Sequence, residues 1–148
     1  SNQKTDFSRY NYFYASYVAS NGTINNAKEI VNSALKLYPR NLLLNQYNKD
    51  LDKNKNISLF NCKQKEHVVA EILYITANAL SSQSIYTQSN FFLNLSKYLN
   101  EDFISYDILL AENFYKIGDF EKAKKIYNDL SKYGEAMELL LYFQKKKN

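Results

Sequence analysis

Residues Ile104–Met137 read ISYDILLAENFYKIGDFEKAKKIYNDLSKYGEAM, and this stretch decides the fold. In its first half Leu109, Leu110, Phe114 and Ile117 fall at helical spacing. Gly118-Asp119 then interrupts, and Phe120, Ala123, Ile126, Tyr127 and Leu130 make a second apolar face. Two apolar helical faces separated by one short break predict two antiparallel helices joined by a tight turn. Gly118 suits the left-handed conformation that ends a helix, and Asp119 suits the cap that starts the next.

The same pattern stands near the start, over 8–41. Ala15 takes the place of Ala111, Gly22 that of Gly118, Ile24 that of Phe120 and Ala27 that of Ala123. Ala34, Leu35 and Leu37 lead to Pro39, the only proline, which cannot continue a helix and marks the end of the pair. Alanine at these sites lets two helices approach while larger apolar residues fill the groove between them. A weaker unit covers 70–103 and abuts the third. Leu73, Ala77 and Leu80 form its first face, and Phe92, Leu93, Leu95 and Leu99 fall in its second. Ser84 sits where Gly22 and Gly118 sit, and Ser89 where Ala27 and Ala123 sit.

Gly118-Asp119-Phe120 with Ala111, Phe114, Ala123 and Tyr127 resembles a tetratricopeptide repeat, as does the series Ala15, Gly22, Ala27, Ala34, Pro39. The match covers about two-thirds of the chain across three units. It departs from the family at Asn11, Leu73 and Asp107, where Trp is frequent, and at Glu135, where a closing Pro is frequent. The resemblance implies an all-α fold: a TPR-like α-α superhelix of about seven helices, stacked as antiparallel pairs. One repeat domain would span 1–148, with repeats near 8–41, 70–103 and 104–137. An irregular helix and loop would fill 42–69, and a terminal helix 135–146. The stretch from Ala70 to Ala123 is also similar to the middle of longer alphaproteobacterial repeat proteins of unassigned role, which often carry an export signal. That likeness implies an excerpt of a longer protein, either cytoplasmic or periplasmic and envelope-associated. The opening Ser1-Asn2 lacks Met and reads as the remnant of a cleaved tag.

Composition agrees with helices. Three Gly and one Pro in 148 residues are too few for an all-β fold with many tight turns. Between the first and second units, Leu42, Leu43, Leu44, Tyr47 and Leu51 predict one more helix, and 52–56 (DKNKN) reads as a loop. After Gly134, Met137, Leu140, Leu141 and Phe143 predict the last helix. The net charge of +4 invites a nucleic-acid reading, but only Arg9 and Arg40 of the 19 basic residues are Arg, the better base and phosphate reader. The lysines are scattered apart from Lys145, Lys146 and Lys147, so nothing selects nucleic acid. No apolar run approaches the ~18–20 residues of a membrane span.

Chemistry is sparse. Cys62 and His67 supply two candidate metal ligands where a structural zinc site needs about four. As a nucleophile and base they lack an orienting third group. The glycines are isolated at 22, 118 and 134, so no phosphate loop exists. Glu101-Asp102 reads as a turn that caps the following helix, and the Asn-x-Ser/Thr triplets at Asn21, Asn56 and Asn94 are expected by chance in an Asn-rich chain. These readings predict no enzyme, cofactor or metal.

What remains is surface. The family resemblance implies that first helices line a concave, peptide-binding groove. It assigns to that groove Arg9, Tyr12, Phe13 and Ser16 in the first unit, and Glu71, Tyr74, Ile75 and Asn78 in the second. In the third it assigns Ser105, Ile108, Leu109, Glu112, Tyr115 and Lys116. Tyr12, Tyr74 and Tyr115 would be rigid amphipathic anchors. Among them Asn78 alone resembles a clamp for an acidic carboxyl terminus, and Tyr12 and Tyr74 stand where such a clamp has cations or amides, so that use is not expected. The expectation is a scaffold for a protein or peptide. The alternative is a structural or self-associating component that pairs through array ends, with Phe7, Tyr10 and Phe13 at one end and Leu140, Leu141 and Phe143 at the other.

Overall fold

The computed structural model describes residues 8–134, so the expected helix over 135–146, Phe7, and the basic cluster Lys145–Lys147 lie outside the described residues. The described residues are all-helical. Seven α-helices run α1 Ser8–Asn21, α2 Ile24–Leu37, α3 Leu42–Asp52, α4 Lys65–Ser82, α5 Tyr86–Leu99, α6 Ser105–Ile117 and α7 Phe120–Leu130. A single 3₁₀ turn, Ser131–Tyr133, follows. Among the described residues no helix is long and apolar enough to cross a membrane. The chain forms two compact units, Ser1–Ser58 and Leu59–Asn148.

In the first unit, α1 and α2 form a hairpin and α3 packs on both. Ala15, Ala27, Val31 and Ala34 are buried where the two helices meet, as the small-residue pattern predicts. The Thr23 side chain caps α2 by accepting from the Asn26 amide, and Asn41 caps α3 by accepting from the Leu44 amide. Asn41 Nδ2 also donates to Ser8 Oγ at 2.7 Å, so one side chain pins the starts of α1 and α3 together. Leu43, Leu44, Tyr47 and Leu51 recur at helical spacing and are all buried. Gly22 does not take the left-handed conformation. A Cβ there would come within 3.0 Å of the Val18 carbonyl oxygen, so close approach is what the position requires.

In the second unit, α4 packs on α5, α5 on α6 and α6 on α7, with α4 also touching α6. The breaks within pairs share one geometry. Gly118 has φ +90 and Ser84 φ +63, and the residue after each sends its amide back to a carbonyl five positions earlier. These bonds are Asp119 N–H to Phe114 at 2.9 Å and Ile85 N–H to Leu80 at 2.9 Å, the left-handed closure of a helix C-terminus. Serine occupies in one hairpin the conformation that glycine occupies in the other. Asp119 then caps α7, accepting from the Lys122 amide, and its carboxylate meets Lys122 Nζ at 2.7 Å. Lys122 thereby holds the Asp119 carboxyl below its usual range. Glu101 and Asp102 lie exposed in the turn before α6, but no side chain caps that helix. The capping expected of them is corrected: Ile104, which has no side-chain acceptor, holds the cap position before α6, and Asp107 supplies the acidic group of its first turn.

The two left-handed turns give a pair of opposite predictions. A Cβ on Gly118 would meet nothing within 4 Å, so Gly118→Ala carries only the backbone penalty and should cost about 1 kcal/mol in urea unfolding. Ser84→Gly relieves the same penalty and should gain about 0.5 kcal/mol after the extra unfolded-state entropy.

Candidate functional site

The residues assigned to a groove sort into two groups by unit. In the first unit Tyr12 is only 1% exposed, and its ring meets Tyr47 of α3 edge-to-face at 4.8 Å. Its hydroxyl donates to the Ile57 carbonyl at 2.7 Å. Ser16 is buried one turn along. Arg9 is half-buried, with its guanidinium 5.7 Å from the Tyr10 ring centre. Tyr12 and Ser16 therefore face the chain's own residues.

In the second unit the arrangement is more open. On α4, Glu71 is buried and Tyr74 is half-buried, with its ring 5.6 Å from that of Tyr106 on α6. Ile75 and Asn78 on the same helix are exposed. On α6, Ser105 and Leu109 are buried, Ile108 and Tyr115 are half-buried, and Glu112 and Lys116 are exposed. The Tyr115 ring rests on Phe120 at 5.2 Å. Lys116 Nζ lies 5.8 Å from the Tyr86 ring centre, a cation–π contact that carries the lysine toward α5.

What fixes α4 and α6 is a polar chain that the sequence reading did not single out. Asn113 is fully buried. Its Oδ1 accepts from Ser81 Oγ at 2.6 Å, and its Nδ2 donates to Ser89 Oγ and Asn90 Oδ1, both at 2.8 Å. Ser89 Oγ in turn donates to the Ala77 carbonyl at 2.8 Å. One amide so ties α4, α5 and α6 in a single register, with its polar atoms satisfied. The signal for it existed: Asn113 continues the spacing of Tyr106, Leu109 and Leu110, so a polar residue stands on a buried stripe.

Electrostatics single out two groups on this unit. Desolvation raises the Glu112 carboxyl above its ordinary value, and Lys116 one turn later offsets part of that rise. Burial pushes the Tyr127 phenol up to about 12, helped by the Glu112 charge and by Tyr115. Burial likewise pushes Tyr47 up to about 12 in the first unit. A phenol held protonated in the fold, but free to ionise when unfolded, stabilises fully only below its unfolded value near 10. Stability should therefore fall as pH rises from about 10 toward 12. Tyrosinate absorbance followed together with helical circular dichroism should show the last phenols ionising as helix is lost.

His67 Nδ1 accepts from the Asn61 amide at 3.1 Å, and Cys62 is exposed. Among the described residues, no group of three His, Cys, Asp or Glu is placed to hold a metal. A cleft of about 370 Å³ opens over Ile126 and Leu130. Its charges are paired: Lys97 with Asp107 at 2.7 Å and Lys132 with Asp129 at 2.8 Å. Compared with protein-family models, with curated proteins and with solved structures, the chain matches none.

Proposed function

We propose that this chain is a tetratricopeptide-type repeat protein whose pairs α4–α5 and α6–α7 stack in the right-handed sense of that family. Its function is to hold an extended peptide or protein segment against the exposed face of α4 and α6. The observation that carries the reading is the contrast along those helices. They are locked together from within by Asn113, yet they leave Ile75, Asn78, Glu112 and Lys116 exposed. A branched apolar side chain, an amide and two opposite charges on a rigid support suit a partner that binds without ordering the protein. Glu112 adds selectivity. A cation brought by the ligand would relieve a carboxylate that its surroundings desolvate, so a basic residue is favoured there.

A second reading, self-association or assembly, rests on a different observation. Tyr10, Tyr14 and Tyr17 form an exposed stripe on α1. By repeat register they correspond to Tyr106, Leu110 and Asn113 of α6, which are buried against the preceding helical pair. The same register on α4, at Ile72, Thr76 and Ala79, is exposed. A face that is covered on α6 and open on α1 and α4 suits another helical pair.

The two readings separate in one comparison. The chain and an Ile75→Asp, Asn78→Ala, Glu112→Lys variant, matched for helical circular dichroism, are used to capture proteins from a lysate of the organism that makes it. Tyr74 is left intact because its ring packs on Tyr106. A protein retained by the parent and lost by the variant supports peptide holding on α4 and α6. Equal retention refutes it, and concentration-dependent mass then tests assembly.

A further inference from the structure

The stretch after α3 behaves like a ligand. Asn54 takes φ +55, and the Lys55 amide returns to the Asp50 carbonyl at 2.8 Å, so the chain leaves α3 through a left-handed turn. Residues 55–58 carry no helix or strand. They run back along α1, on the face that holds Tyr12 and Ser16. Asn56 Nδ2 donates to Ser20 Oγ at 2.8 Å and to the Ser16 carbonyl at 3.4 Å. Its Oδ1 accepts from Tyr47 at 2.7 Å, and Tyr12 donates to the Ile57 carbonyl. Asn56 thus sits by Ser16 and Ser20 while Ile57 sits by Tyr12, so the segment travels antiparallel to the helix. Beyond the turn at Lys55, the bonds that hold Asn56 and Ile57 to α1 and α3 are each made by a side chain, of the segment or of the helices.

We infer that residues 55–58 are a built-in occupant of the first unit's groove, filling in cis the face that would otherwise take an extended peptide. The inference rests on the peptide-holding reading of such faces. It assigns the first unit a closed state and leaves partner binding to α4 and α6. It also defines what the closed face recognises: an Asn side chain followed by a backbone carbonyl, read by Ser20, Tyr47 and Tyr12. A segment tethered by one short turn is held at an effective concentration on the order of millimolar. A free peptide of the same sequence at micromolar concentration is therefore outcompeted.

The test uses the full chain and a synthetic, labelled peptide of residues 53–60, KNKNISLF. Asn56→Ala removes the three Asn56 side-chain bonds from the tethered segment and leaves its receiving groups in place. The peptide should bind this variant at least tenfold more tightly than it binds the parent chain. Adding Tyr12→Phe, which keeps the ring but loses the donor to the Ile57 carbonyl, should abolish most of that gain. Equal affinity for parent and Asn56→Ala, or a gain that survives Tyr12→Phe, overturns the inference. Asn56→Ser is the gentler variant if Asn56→Ala loses helicity. If both unfold, the segment is part of the core and not a displaceable occupant, which also overturns it. Partner capture through Ile75, Asn78 and Glu112 is measured separately, so the wider reading can fail while this one stands, and the reverse.

Discussion

Replacing Asn113 with leucine is expected to lower the stability of the second unit by about 3 kcal/mol, although the two side chains have the same branching and number of heavy atoms. Leucine leaves no cavity, so the loss comes from hydrogen bonding, with a smaller addition from its bulkier methyl groups at a fully buried position. The Ser81 hydroxyl loses its acceptor, and Ser89 Oγ and Asn90 Oδ1 lose their donor. Ser81 and Ser89 are buried, so water cannot replace the amide freely. In a unit of this size the melting temperature should drop by about 12 °C or more. The network reading makes a second demand. Ser81→Ala and Ser89→Ala added to Asn113→Leu should recover a large part of the loss, because removing both partners of a buried bond costs far less than orphaning one. A loss below about 1 kcal/mol for the single change, read by urea unfolding, would mean that the three helices do not depend on this amide.

Tyr47→Ala is expected to cost about 4 kcal/mol, enough to unfold a first unit of fewer than 60 residues. Tyr47 is 2% exposed, stacks edge-to-face on Tyr12 and donates to Asn56. Alanine removes the ring, the aromatic contact and the bond together. A chain this short buries a smaller share of its surface than a larger domain does, so little reserve offsets the loss. Tyr47→Phe isolates the hydroxyl and should cost only about 1 kcal/mol, since Asn56 is half-buried and can turn to water. The difference between the two variants in chemical denaturation reports the ring alone.

Much of the local architecture was legible in the sequence because helices announce themselves by spacing. Leu109, Leu110 and Phe114, then Ala123 and Tyr127, placed two helices around Gly118-Asp119, and the Asp119 cap followed from residue type alone. The faces were harder. Tyr12 and Tyr74 stand in equivalent register, yet one is buried against Tyr47 and the other is half-exposed beside Tyr106. The neighbour decides, and neighbours come from tertiary packing that periodicity does not carry. The return of residues 55–58 over α1 was hidden for the same reason. DKNKN reads as a polar loop, and only the left-handed Asn54 and the distant Ser20, Tyr47 and Tyr12 give it a place to bind. Asn113 was visible as a polar residue on an apolar stripe, but its partners on α4 and α5 were not.

The most direct measurement of the central claim is site-specific photocrosslinking. A photoreactive residue is placed at Asn78 on α4 or at Asn94 on α5, both exposed. Each protein is irradiated with the captured partner, and the adducts are read by mass spectrometry. If α4 and α6 hold the partner, the probe at 78 forms one discrete adduct to an extended segment and the probe at 94 forms none. Adducts from 94 with none from 78 would contradict the account, because they would place the partner on the other helix of the pair.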